Sequence, residues 1–147
     1  MNAAAEMAYH LKIVEGLADR VLQQNPVLKN PMEDRYTEIL QEKKEAIHNT
    51  LSELKQEPSM TEELHKNLSV IYRADETDKL LFEQWKRVSS QNNWVNQEEL
   101  EELEKDMQRM KTELEEVVPF IEEMAGGWEK MRFVVPALYR EQARKGE

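Results

Sequence analysis

Glu45 with His48 and Glu62 with His65 repeat one spacing, Glu-x-x-His, on either side of Pro58. Three residues apart on a helix, a carboxylate and an imidazole can grip the same cation. Bundles that hold two metal ions use this pair on two helices, with one further glutamate from each of two others. Antiparallel helices joined near Pro58 would set the two pairs level. Their phase argues against inward ligation. At about 100° per residue, the apolar face centred on Ile47 leaves Glu45 roughly 160° away and His48 roughly 100° to the flank. The face centred on Leu64 leaves Glu62 and His65 with the same offsets. Ligands of a buried site must face inward, so these glutamates are expected in water. No metal or cofactor is expected, and a helical-bundle metalloprotein remains only as an alternative.

The acidic run Glu98-Glu99-Leu100-Glu101-Glu102 resembles the first acidic motif of the all-α nucleotide pyrophosphatases of the MazG type. That resemblance implies a magnesium site completed by a later Glu-x-x-Asp on a neighbouring helix. The last aspartate of this chain is Asp106, so the second half has no match, and the run reads as a solvated helix face. Nucleophilic catalysis has no support either. There is no Gly-x-Ser-x-Gly elbow, no phosphate-binding glycine loop and no cysteine. The absence of cysteine also excludes disulfides and thiolate zinc sites. His10 neighbours an apolar stripe and is expected to be half-buried. The expectation is a protein that is not an enzyme.

Trp128, Phe133 and Tyr139 stand beside Arg132 and Arg140 within a dozen residues. Trp, Tyr and Arg dominate interface hot spots, because they combine large contact area with polar reach. The simpler reading is a short helix capping the core, which still leaves Phe133 off the main apolar face. The sharper reading is a docking or self-association helix. Its basic tail Arg140–Lys145 would steer toward an acidic surface such as the Glu101 and Glu104 flank of another copy.

These groups are positioned by helices. Leu100, Leu103, Met107, Met110, Leu114, Val117, Ile121 and Met124 hold an unbroken three-four spacing, the seam of a long helix laid against other helices. Its a set (Leu100, Met107, Leu114, Ile121) and d set (Leu103, Met110, Val117, Met124) do not match a parallel dimer, which favours β-branched residues at a and leucine at d. Glu104, Asp106, Lys111 and Glu113 edge the first half with charge. Val118, Phe120 and Ala125 widen the second half into a core-facing helix. Intramolecular antiparallel pairing is the leading expectation, with self-association through part of the seam as the other.

Five helices are expected, over about 3–24, 31–56, 60–89, 97–125 and 128–143. The first carries Ala4, Met7, Leu11, Val14, Ala18 and Val21 on one stripe, with Leu17 widening it, and stops at Asn25-Pro26. The second opens with Asn30, Pro31 and Glu33 and shows a thin face of Tyr36, Leu40, Ile47, Leu51 and Leu54, interrupted by Lys43 and Lys44. A stripe this narrow suggests an outer helix, or one partly dependent on a partner, and Pro58 ends it. The third opens with Ser59 and Glu62 as a capping box. It places Leu64, Leu68, Ile71, Phe82 and Trp85 on one face with Asp75 and Asp78 between them, and is expected to be continuous or kinked through Arg73–Asp78, the alternative being a break there and a restart capped by Thr77 or Asp78. Residues 89–93 (SSQNN) read as a loop. Asn96 with Glu99 starts the fourth, Pro119 should kink it, and Gly126-Gly127 should stop it. Pro136 strains the fifth. The fold class is therefore all-α, an elongated bundle of four to five helices in one domain, with helices one, three and four as the core.

The composition agrees. In 147 residues, four glycines and five prolines are too few for a turn-rich β protein, and 34% charged residues suit half-exposed helices. The net charge of −10 is uneven: residues 97–125 hold eleven acids against three bases, a local −8, and residues 126–147 hold three acids against five bases, a local +2. With no basic stripe to release counterions, direct nucleic-acid binding is not expected. No apolar run approaches the ~18–20 residues of a membrane span, and no basic region followed by an apolar core suggests a signal peptide. A cytoplasmic protein without membrane contact is expected. The expected function is a non-enzymatic interaction or adaptor protein, its partner another protein or a second copy. The alternative is an acidic inhibitor or nucleic-acid mimic that covers a basic protein surface.

Overall fold

A computed structural model describes residues 2–24, 35–56, 59–73, 83, 86–87, 90–91 and 96–145. Within them the chain is all-α, with no strand among the described residues: α1 (Ala3–Gln24), α2 (Arg35–Gln56), α3 (Glu62–Ile71), α4 (Gln97–Ala125), a 3-10 turn (Trp128–Lys130), α5 (Met131–Val134) and α6 (Pro136–Lys145). α4 is the long helix, 29 residues and about 43 Å at ~1.5 Å per residue.

Polar side chains start the helices. The Asn2 Oδ1 accepts the Ala5 N–H at 2.8 Å to open α1. Asn96 caps α4 as its spacing to Glu99 predicts, accepting the Glu99 N–H at 2.8 Å, and its own amide Nδ2 donates back to the Glu99 carboxylate at 3.2 Å. α3 departs from expectation at its start. The cap is Thr61, whose hydroxyl accepts the Leu64 N–H at 3.1 Å, and Ser59 lies outside the helix with its carbonyl accepting the Thr61 N–H. The Asn30-Pro31-Glu33 start, the Asn25-Pro26 and Pro58 stops, and the side chains of Tyr36, Phe82 and Trp85 fall outside the described residues.

α3 is also shorter than its pattern suggested. It ends at Ile71, with Tyr72 as its C-cap at φ −98° and ψ 18°. Continuation would have carried Asp75 and Asp78 along the buried face. Tyr72 instead turns its phenol to α4 and donates to the Leu114 carbonyl at 2.5 Å. Ser90 and Gln91, expected in a loop, are helical.

α1 and α4 form the central pair, running antiparallel, as the His10–Glu113 and Arg20–Asp106 contacts show. Every stripe residue of α1 is buried, from Ala4 to Val21, with Leu17 and Leu22 beside them. On α4 the seam is rotated slightly from its heptad: Leu100, Leu103, Met110, Val117 and Ile121 are buried, while Met107, Leu114 and Met124 are only half-buried. Asp106, expected as a charged edge, is buried in this face at 2% exposure, facing Arg20 at 3.5 Å, and its Oδ2 has no hydrogen bond.

α2 is not an outer helix. It lies antiparallel to α1, with Lys44 paired to Asp19 and His48 to Glu15 at 3.3 Å, and its other side packs on α3. It buries Ile39, Leu40, Ala46, Ile47, Leu51 and Leu54. The stripe looked thin because Thr50 reads as polar. Its hydroxyl donates to the Ala46 carbonyl at 2.8 Å, which lets it sit fully buried.

α4 continues through Pro119, which is exposed. It stops where the double glycine requires. Gly126 adopts φ 85°, the left-handed region open to glycine, and the Gly127 N–H bonds the Glu122 carbonyl at 2.9 Å. The last helix is divided in two. Val135, at φ −134° and ψ 79°, leaves helical geometry before Pro136, which starts α6 at the position where a missing N–H costs nothing. Met131, Val135 and Leu138 anchor this pair in the core, and the Ser69 hydroxyl reaches the Val134 carbonyl at 3.4 Å.

The rotated seam makes a direct expectation. Leu103→Ala should lower unfolding free energy by about 2–5 kcal/mol, and Leu114→Ala by clearly less, because only the first leaves a fully enclosed cavity. Chemical denaturation of the two variants measures the difference, and equal losses would contradict the rotation.

Candidate interaction surfaces and a basic-mouthed cleft

The seven side chains singled out from the sequence fall in two places. Trp128, Arg132, Phe133, Tyr139 and Arg140 lie on the short helices after Gly127, whereas Glu101 and Glu104 lie near the start of α4. The 21 residues of α4 beyond Glu104, ~32 Å at ~1.5 Å per residue, and then the double glycine separate Glu104 from Trp128. They are not one site within a single copy.

At the C-terminal tip, α5 is held from beneath by Met131 and turns Arg132 and Phe133 outward. Phe133 is 65% exposed, one of two large hydrophobic side chains so exposed among the described residues, the other being Tyr9. The Arg132 guanidinium lies 4.7 Å from the Phe133 ring centroid, a cation–π contact that presents an apolar and a charged surface together. Trp128 and Tyr139 are half-buried with ring centroids 6.3 Å apart, and Arg140 is exposed. The capping role and the outward surface thus coexist, one on each face of the same few residues.

At the other end, Glu101 and Glu104 border an open groove of about 800 Å³ whose floor includes Leu100 and whose opposite wall includes Lys86 and Arg87. Lys86 bonds Glu104 at 2.5 Å, and that hydrogen bond is the main reason its ammonium pKa is raised. Glu98, Glu99, Glu101 and Glu102 are exposed. They form the solvated face expected of the run, and no second acidic motif meets it among the described residues.

The Glu-x-x-His pairs do not converge. His48 is turned to Glu15 of α1, Glu45 is exposed, and Glu62 faces water beside Lys66. No group of three or more His, Asp or Glu side chains able to hold a metal occurs among the described residues. His10 is half-buried as expected, but it also bonds Glu113 at 2.7 Å and stacks on Phe120 at 6.3 Å, which ties α1 to α4. No helix among the described residues is long and apolar enough to cross a membrane.

One feature escaped the sequence. Between α1, α2, the end of α3 and α4 lies a cleft of about 250 Å³ with an apolar interior, lined also by Lys43, Lys44, Arg73 and Lys111. Lys43 and Lys44 had registered only as interruptions of an apolar stripe, and Arg73 as a possible helix break. Tyr72 stands at the edge of this cleft. Burial raises its phenol pKa above the ordinary tyrosine value, and the nearby Glu115 carboxylate raises it further. The neutral phenol can then keep donating to the Leu114 carbonyl.

That shift has a pH consequence. Both states keep the phenol protonated below about pH 10, so it makes no difference there. Above that, the unfolded chain ionises first and gains relative to the folded one. Stability should fall by up to about 1.4 kcal/mol per pH unit from this group, and Tyr72→Phe should remove that part of the slope. Urea denaturation at pH 9 and pH 11 for both proteins is the check, and identical slopes would refute the assignment.

No protein-family model, no curated protein and no solved structure was found to match this chain.

Proposed function

We propose that this chain is a non-enzymatic interaction protein that docks another protein through its C-terminal tip. The observation that carries the reading is Phe133, a large aromatic side chain 65% exposed on a helix whose opposite face is anchored in the core, with Arg132 stacked on it. Burying that ring against a partner would recover the apolar hydration it now exposes. Trp128, Tyr139 and Arg140 lie on the same run of short helices, and their types supply most binding energy in protein interfaces.

Phe133→Ala should leave folding stability within about 0.5 kcal/mol of wild type, as expected for an exposed side chain. It should weaken partner binding by about 2 kcal/mol or more, roughly thirtyfold, as expected of a central hot spot. Quantitative affinity capture with wild type, Phe133→Ala and Arg132→Ala baits, alongside thermal melts, separates the two effects. Retention of every specific partner by both variants would refute the reading.

A second reading rests on a separate observation, the exposed Glu98, Glu99, Glu101 and Glu102 beside the groove. Such a face suits an acidic inhibitor that covers a basic surface. Binding through it should weaken steeply between low and physiological salt, whereas docking through Phe133 should change little.

A further inference from the structure

The cleft between α1, α2 and α4 combines two features that the rest of the molecule keeps apart. Its interior is hydrocarbon, with Val14, Ala18, Leu40, Ile47, Met110 and Leu138 among its walls. Among the described residues its lining also holds Lys43, Lys44, Arg73 and Lys111, together with the Glu115 carboxylate. In a chain of net charge −10, four cations around one apolar opening run against the composition. Lys44 meets Asp19, and the Arg73 Nη2 lies 3.5 Å from Glu42.

Arg73 carries the most specific signal. Its Nε is buried and has no hydrogen-bond partner among the described residues. A buried guanidinium N–H without an acceptor is costly, and such groups in folded proteins call for a specific explanation. A carboxylate is the acceptor whose shape and charge suit arginine best. The space sets the size of what would bring it. At ~30 Å³ per water-sized group, about 250 Å³ holds about eight such groups.

We propose that this cleft binds an amphipathic monocarboxylate of about eight carbons, a medium-chain fatty acid or a molecule of the same shape. Its chain lies among Val14, Leu40, Ile47 and Leu138, and its carboxylate meets Arg73. The apolar walls supply the affinity, and the cations select the sign of the head group.

The test uses the full chain and octanoate as the probe, followed by methyl NMR. Saturable shifts confined to Val14, Leu40, Ile47 and Leu138 are the expected result. Octylammonium has the same chain with the opposite charge and should give no saturable shift at these methyls. Arg73→Gln should bind octanoate about tenfold more weakly while keeping its helical circular dichroism. Val118→Phe, which places a ring against the cleft, should block the shifts. Should that variant not fold, the Arg73→Gln and octylammonium arms decide alone. Unmoved cleft methyls at millimolar octanoate would overturn the proposal, as would shifts scattered over the surface. Equal binding of octylammonium, or unchanged affinity in Arg73→Gln, would overturn the role given to the cations.

Discussion

The antiparallel contact between α1 and α4 is the constraint on which the other elements depend. α2 reaches the core through α1 and α3, while α5 and α6 pack against α3 and the end of α4. The pair is held by side chains such as Met7, Leu11, Leu103 and Val117, each removed almost completely from water. Burying a side chain of this size stabilises by about 1.5–3 kcal/mol. Apolar contact alone would tolerate sliding along the seam. Asp106 does not. Its carboxylate is buried and meets Arg20 across the interface, so a slipped register that moved Arg20 away would leave an unpaired charge in the core. His10 with Glu113 and Phe120 sets the same register nearer the start of α1. Two polar contacts therefore align a surface whose adhesion is not itself directional.

Helices were legible where one property repeats. α1 and α4 begin and end where their stripes, Asn96 and the double glycine indicate. Elements whose inward face mixes chemistry were less so. α2 was read as peripheral because Thr50 counts as polar until its hydroxyl is seen bonded within its own helix. α3 was read as long because Phe82 and Trp85 continue its phase, whereas Tyr72 ends it by reaching across to Leu114. Periodicity records which face is apolar. It does not record a bond made to a carbonyl 42 residues away.

The same distinction governs the candidate sites. Trp128, Arg132 and Phe133 are neighbours in sequence, so their clustering could be anticipated, and the split at Val135 falls beside Pro136, the residue expected to strain that helix. The cleft draws Val14, Ile47, Arg73, Lys111 and Leu138 from five separate stretches. No local pattern announces such a gathering.

The join at Gly126 and Gly127 bears on how the tip is fixed in space. Reflected in a mirror, the backbone angles of Gly126 would fall in the ordinary right-handed region. The step from the long helix to the tip is thus written in the opposite hand from the rest of the chain, and an achiral residue takes it without strain. The direction in which Phe133 faces is set by a centre that carries no handedness of its own. A bulky L side chain placed there would strain the turn that sets this direction, by about 1–2 kcal/mol, whereas Asn could adopt it.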